Sequence, residues 1–121
     1  MNELKVIVIP ETGDFALDVS HRNLAWTNKK LGEPQLDKHN ARYLAPLWLE
    51  NNDGINRIFQ ILKPPEEHQD SYEFVLGNSF VLPEPYNDVK QRRVFSYKPL
   101  YELGFIEIKS GLLIEIPECV A

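Results

Sequence analysis

Phe105-Ile106-Glu107-Ile108-Lys109-Ser110-Gly111-Leu112-Leu113-Ile114-Glu115-Ile116 is the stretch from which the fold class is read. Phe105, Glu107 and Lys109 alternate with Ile106 and Ile108. Beyond Ser110-Gly111, Leu112, Ile114 and Ile116 alternate with Leu113 and Glu115. Successive strand residues point to opposite faces, so a period of two on both sides of a glycine-containing turn predicts a β-hairpin.

The remainder reads outward from that hairpin. Pro99 opens a short helical segment reaching Leu103, as expected of a residue with fixed φ and no N–H to lose, and 93–97 reads as a strand before it. Leu4 to Ile9 is a β-branched strand closed by Pro10, buried on at least one face. A helix is expected over Arg22 to Leu31, capped by Asp18 or Ser20 and ended by Gly32 with Pro34 beyond, although its apolar stripe is thin. Asp37 to Asn40 reads as polar loop. Arg42 to Glu50 is the densest hydrophobic segment, and Pro46, lacking a ladder donor, predicts an edge or bulged strand. Asn51-Asn52-Asp53-Gly54 is turn chemistry, which favours Ile55 to Leu62 as a strand returning against Arg42 to Glu50 over a short helix. Lys63 to Ser71 reads as a hydrophilic loop, Tyr72 to Leu76 as a strand, Gly77-Asn78-Ser79 as a turn, and Phe80 to Leu82 as another short strand. No crossover helix recurs between strands, so a doubly wound sheet is not expected. The expected fold is mainly β with one or two short helices, its mixed or antiparallel sheet curled into a small pseudobarrel that hides its edges.

The 121 residues fit one domain, 1–121, and 43% hydrophobic content suffices for a core. The single Cys119 forms no internal disulfide and cannot alone build a structural zinc site. With no leader pattern and no apolar run long enough for a bilayer, a soluble cytoplasmic protein with no membrane partner is expected. A net charge of −5 argues against indiscriminate nucleic-acid binding. It leaves room for a local basic strip, Lys90, Arg92, Arg93 and Lys98. The acidic excess gathers at Glu102, Glu107, Glu115 and Glu118.

No nucleophile elbow, phosphate loop or dinucleotide turn occurs. His21, His39 and His68 form no metal motif by spacing, so no catalytic residue, metal site or cofactor is assigned. Glu107-Ile108-Lys109 resembles the acid-x-Lys core of the PD-(D/E)xK nucleases, in which the acid holds a divalent ion and the lysine helps activate water. On that resemblance Glu107 and Lys109 take those roles, with Asp88 the upstream acid, and a metal-dependent nuclease is one alternative. Aromatic content points elsewhere. Trp26, Tyr43, Trp48, Tyr72, Tyr86, Phe95 and Tyr97 are spread over strands and loops, and aromatic groups at a barrel mouth stack bases or other planar ligands.

Ala41-Arg42-Tyr43-Leu44-Ala45-Pro46-Leu47-Trp48, followed by a turn and Ile55 to Leu62, resembles the middle of PUA-like domains, especially the EVE-type branch. Leu100 to Gly104 resembles a later Leu-x-x-Leu-Gly segment of that group. The resemblance covers about residues 40 to 110. It implies a small pseudobarrel whose cleft binds RNA or a modified DNA base. Tyr43 and Trp48 would then flank or support the cleft, and Arg57 and Lys98 meet phosphates. Trp26, Tyr86, Arg92 and Arg93 complete the candidate ligand-binding set. The expected function is a non-catalytic binding domain. A different class is an acidic protein-binding adaptor or inhibitor that masks a basic nucleic-acid-binding surface by charge complementarity. The sequence leaves the oligomeric state open.

Overall fold

In the computed structural model, residues 4–10, 15–18, 23–47, 54–86 and 95–116 are described. Among the described residues there are ten strands, β1 (Lys5–Pro10), β2 (Phe15–Asp18), β3 (Leu24–Asn28), β4 (Ala41–Leu47), β5 (Ile55–Ile61), β6 (Glu66–Glu67), β7 (Ser71–Tyr86), β8 (Ser96–Pro99), β9 (Phe105–Lys109) and β10 (Leu112–Glu115). One helical turn, α1 (Leu36–His39), precedes β4. The main sheet runs β2-β3-β7-β5-β4-β1-β8, with β6 on β7, and β9 and β10 form a separate hairpin. The fold is mainly β, as the alternation predicts, and the sheet is mixed because β1 and β4 run parallel. It does not close into a barrel, since β2 and β8 end the path rather than pairing with each other.

β1 lies between β4 and β8, and Val6 to Ile9 are fully buried. A strand covered on both faces needs apolar side chains at every position, which accounts for the unbroken Val-Ile-Val-Ile run. Val6 and Val8 enter one cluster with Tyr43, Ala45, Ile55 and Ile58, beneath Leu100, Leu103, Phe105 and Leu113. Ile7 and Ile9 enter the other with Leu44, Phe59, Phe15, Ala25 and Phe74. The sixteen-residue β7 joins the two halves: its first part pairs with β3 and β6, its second with β5.

Three expectations are corrected. The segment read as a helix over 22–31 has its described part, from residue 23, built as β3 followed by a 3-10 turn at Lys29–Leu31. Ala25 and Thr27 are buried while their neighbours are half-buried, so a period of two prevails over the thin helical stripe. Gly32 does end the turn, at φ 105°. Gly77-Asn78-Ser79 does not turn the chain; β7 runs straight through. A Cβ on Gly77 would lie 2.7 Å from Gln60 Oε1 and 2.8 Å from a Leu62 methyl, so the ends of both side chains would have to shift to admit one. Pro46 sits in an interior strand, but β4 pairs with β5 only at Tyr43 and Leu44. On the β5 side the ladder has lapsed before the missing donor is reached, while on the other side β1 continues past it with Ile9 opposite Pro46. Pro83 and Pro85 are tolerated likewise, where the β5–β7 register slips between Arg57↔Val81 and Ile55↔Tyr86.

The hairpin at 105–115 forms as expected, as do the return of β5 against β4 and the 3-10 turn Leu100–Leu103 behind Pro99. Gly54 has φ 63°; Asn51 to Asp53, the rest of the expected turn, lie outside the described residues. Among the described residues, no helix is long and apolar enough to cross a membrane.

Candidate functional site

Two irregularities of register and one hairpin build a cleft. In the parallel β1–β4 pair, Lys5 faces Ala41 and Val6 faces Tyr43, so Arg42 is passed over. The slip puts Tyr43 into the core and leaves Arg42 exposed. Such local irregularities in strands re-aim side chains beside functional sites. In the β5–β7 pair, Phe59 faces Ser79 and Ile61 faces Leu76, so β7 has one residue too many opposite Gln60. Asn78, in that surplus, donates from Nδ2 to the Gly111 carbonyl at 3.2 Å. This ties the tip of the β9–β10 hairpin to the sheet and sets Glu107 above Tyr43.

Tyr43 is completely buried except that its hydroxyl reaches Glu107, donating to Oε2 at 2.6 Å. The Gly111 amide donates to the same oxygen at 3.4 Å. Burial, and then the hydrogen bond and negative charge of Glu107, raise the Tyr43 pKa far above the ordinary tyrosine range. The phenol therefore stays protonated and acts as a fixed donor. The other Glu107 oxygen takes no hydrogen bond among the described residues, and neither the Gln60 amide nor the Arg42 guanidinium has a partner there.

These groups line a cleft of about 370 Å³ with Leu4, Asn40, Ile61, Leu62 and Ser110. Across Arg42, Ile61 and Leu62 it adjoins a second hollow of about 380 Å³. That hollow adds Lys38 and Lys63 to Arg42, against Glu33 and Asp37. Beside it, His39 stacks on Tyr97 with ring centroids 3.8 Å apart, and the Gln35 amide donates to the Tyr97 hydroxyl at 2.8 Å. Desolvation, Lys5 and Lys38 hold the His39 pKa below its usual value. A concave surface with a carboxylate oxygen, an amide and a guanidinium converging on it suits a small polar planar group.

Of the candidate ligand-binding residues read from sequence, Tyr43 alone lines this cleft, joined there by Glu107 of the acid-x-Lys reading. Tyr86 and Lys98 meet each other, the ammonium 5.4 Å from the ring centroid, and Tyr86 donates to Glu102 at 3.4 Å. Arg57 is exposed on β5. Trp26 borders a separate open hollow of about 230 Å³ and donates from its indole to Glu73 at 2.8 Å. Trp48, Arg92, Arg93, Asp88 and Lys90 lie outside the described residues. Arg42 and Gln60 were missed. Arg42 carried a signal, standing directly before Tyr43, whereas nothing local marks Gln60. Glu107 is held by Tyr43, and the exposed Lys109 contributes to neither cavity. The groups that sequence spacing did not join are Glu66, His68 and Glu73, which β6 and β7 bring together. The chain matches no family model, no curated protein and no solved structure.

Proposed function

We propose that this chain is a non-catalytic binding domain that takes one base of RNA, or of DNA carrying a modified base, into the cleft between β4, β5 and the β9–β10 hairpin. The reading rests on one observation: a buried tyrosine hydroxyl pins the Glu107 carboxylate at the cleft, leaving its other oxygen, like Gln60 and Arg42, without a hydrogen-bond partner among the described residues. A carboxylate accepts from an exocyclic amino group, an amide both donates and accepts, and a guanidinium at the rim meets a phosphate. Lys38 and Lys63 extend the cationic rim. This also fits the PUA-like resemblance, whose Arg-Tyr-Leu-Ala segment supplies Arg42 and Tyr43. A cytoplasmic setting is part of the proposal, resting on the lone Cys119.

Titration of the whole protein with short RNA and with modified and unmodified DNA, across salt concentrations, tests it. Arg42→Ala is expected to weaken binding and to lower the salt slope by about one unit or less. Glu107→Gln is expected to change base preference with the slope unaltered. Absence of saturable binding to every nucleic acid refutes the reading.

One further observation favours the adaptor reading as second choice. Ile106, Ile108, Leu112 and Ile114 on the hairpin, and Ile116 beyond it, are 39–56% exposed, an apolar surface of the kind proteins dock on. The exposed acids Glu102 and Glu115 would favour a basic partner. In that case nucleic acids do not bind, and a stoichiometric protein complex is lost on reversing the charge of Glu102 or Glu115.

A further inference from the structure

We propose that Glu66, His68 and Glu73 form a binding site for a first-row divalent metal ion such as Zn²⁺ or Co²⁺, on the β6–β7 pair. Their ligand atoms all lie within 4.8 Å of one another. One imidazole nitrogen and two carboxylate oxygens are the donors such ions take, at roughly 2.0–2.2 Å from the metal. Bonds of that length around a tetrahedral ion put donors roughly 3.4 Å apart. A modest rotation of side chains that are exposed, or in Glu73 half-buried, closes the set.

The backbone imposes the convergence. Glu66 faces Glu73 and Glu67 faces Tyr72 across the β6–β7 pair, and the His68 amide donates to the Ser71 carbonyl at 2.8 Å, closing the hairpin. Alternation sends Glu66 and His68 to one face and Glu67 to the other, where Glu67 meets Lys29 at 2.7 Å. Glu73 is also the cross-strand partner of Trp26, whose indole N–H holds its Oε2 at 2.8 Å. A donor outside the coordination shell that fixes a ligating carboxylate is a regular companion of metal sites. His68 Nε2 lies 3.9 Å from that same oxygen.

Electrostatics points independently to a cation. Like charges directly opposite on paired strands repel, yet Glu66 and Glu73 stand opposite one another. The neighbouring ammonium, Lys29, is engaged by Glu67 and lies 5.6 Å from the centre of the Tyr72 ring. A divalent ion between the two carboxylates turns repulsion into attraction, and His68 completes a three-ligand set with positions left for water.

The experiment is calorimetric titration of the intact protein with Zn²⁺, repeated with Co²⁺, whose visible absorption reports its coordination. One ion is expected to bind per chain. His68→Ala and Glu73→Gln are each expected to weaken binding at least tenfold, whereas Glu67→Gln, on the opposite face, leaves it within about twofold. His68 is a surface group and glutamine can still accept from Trp26, so both variants retain the fold, which circular dichroism verifies. Absence of saturable binding, or binding that survives His68→Ala unchanged, overturns the proposal.

Discussion

Replacing Tyr43 by phenylalanine isolates the contact on which the cleft depends. The ring remains, so the apolar burial of this fully buried side chain is retained and only the 2.6 Å bond to Glu107 is lost. A hydrogen bond to a charged group contributes about 1.5–3 kcal/mol. Glu107 keeps the longer bond from the Gly111 amide and some access to water, so the lower part of that range applies, about 1.5–2 kcal/mol near neutral pH. For a chain of this size that lowers Tm by roughly 4–10 °C. The same variant carries a pH signature. The unfolded chain releases a tyrosine proton near pH 10, while folded Tyr43 retains it well beyond, because of burial and then the Glu107 bond and charge. Above pH 10 the folded state thus holds more protons than the unfolded one. The stability that Tyr43 confers is complete below that pH and is lost as pH rises toward the folded pKa, by up to about 1.4 kcal/mol per pH unit. Urea unfolding at steps from pH 7 to pH 11 measures both effects. Tyr43→Phe is expected to start lower and to fall less steeply above pH 10. A variant as stable as the parent at pH 7, with an unaltered alkaline slope, refutes the picture of a buried donor fixing Glu107.

Two further perturbations test the packing around the site. Gly77→Ala forces a methyl against the ends of the Gln60 and Leu62 side chains, which can rotate away, and is expected to cost no more than about 1 kcal/mol in urea unfolding; a larger loss means that those side chains are held in place. Thr27→Val replaces a hydroxyl that is fully buried and unpartnered among the described residues. It is expected to raise stability by about 1 kcal/mol, read as a higher Tm, and a loss of stability shows that the hydroxyl has a partner after all.

How much was legible depended on whether the deciding interaction was local. The hairpin at 105–115, the buried run at 6–9 and the Pro99–Gly104 turn rest on alternation or on backbone conformations that a few neighbouring residues specify, and all three were read correctly. The segment from Leu24 to Leu31 failed because its stripe was weighed at a period of 3.6, while tertiary pairing of β3 between β2 and β7 imposes a period of two. Gly77 failed for the opposite reason. Glycine permits a turn, but it also permits close approach, and only the distant Gln60 and Leu62 decide between them.

The cleft shows the same limit at the level of function. Its walls come from β4, β5 and β9, and the separation of Tyr43 from Glu107 along the chain is 64 residues. Each half was visible separately, Arg42-Tyr43 through a family resemblance and Glu107 through the acid-x-Lys pattern, and each alone suggested a different chemistry. Their junction changes both. Tyr43, expected to present a ring for stacking, instead gives the cleft one protonated hydroxyl, because its ring completes the core with Val6, Val8 and Ile58. Glu107, weighed as a metal ligand, instead spends one oxygen on that hydroxyl and offers the other to the cleft. The residues beside them reach it through slips of register: Arg42 is turned outward where β4 is passed over by β1, and Gln60 meets the surplus residue of β7. Register is a property of paired strands and not of either strand alone, so the polar lining of the cleft becomes readable only once the pairing is known.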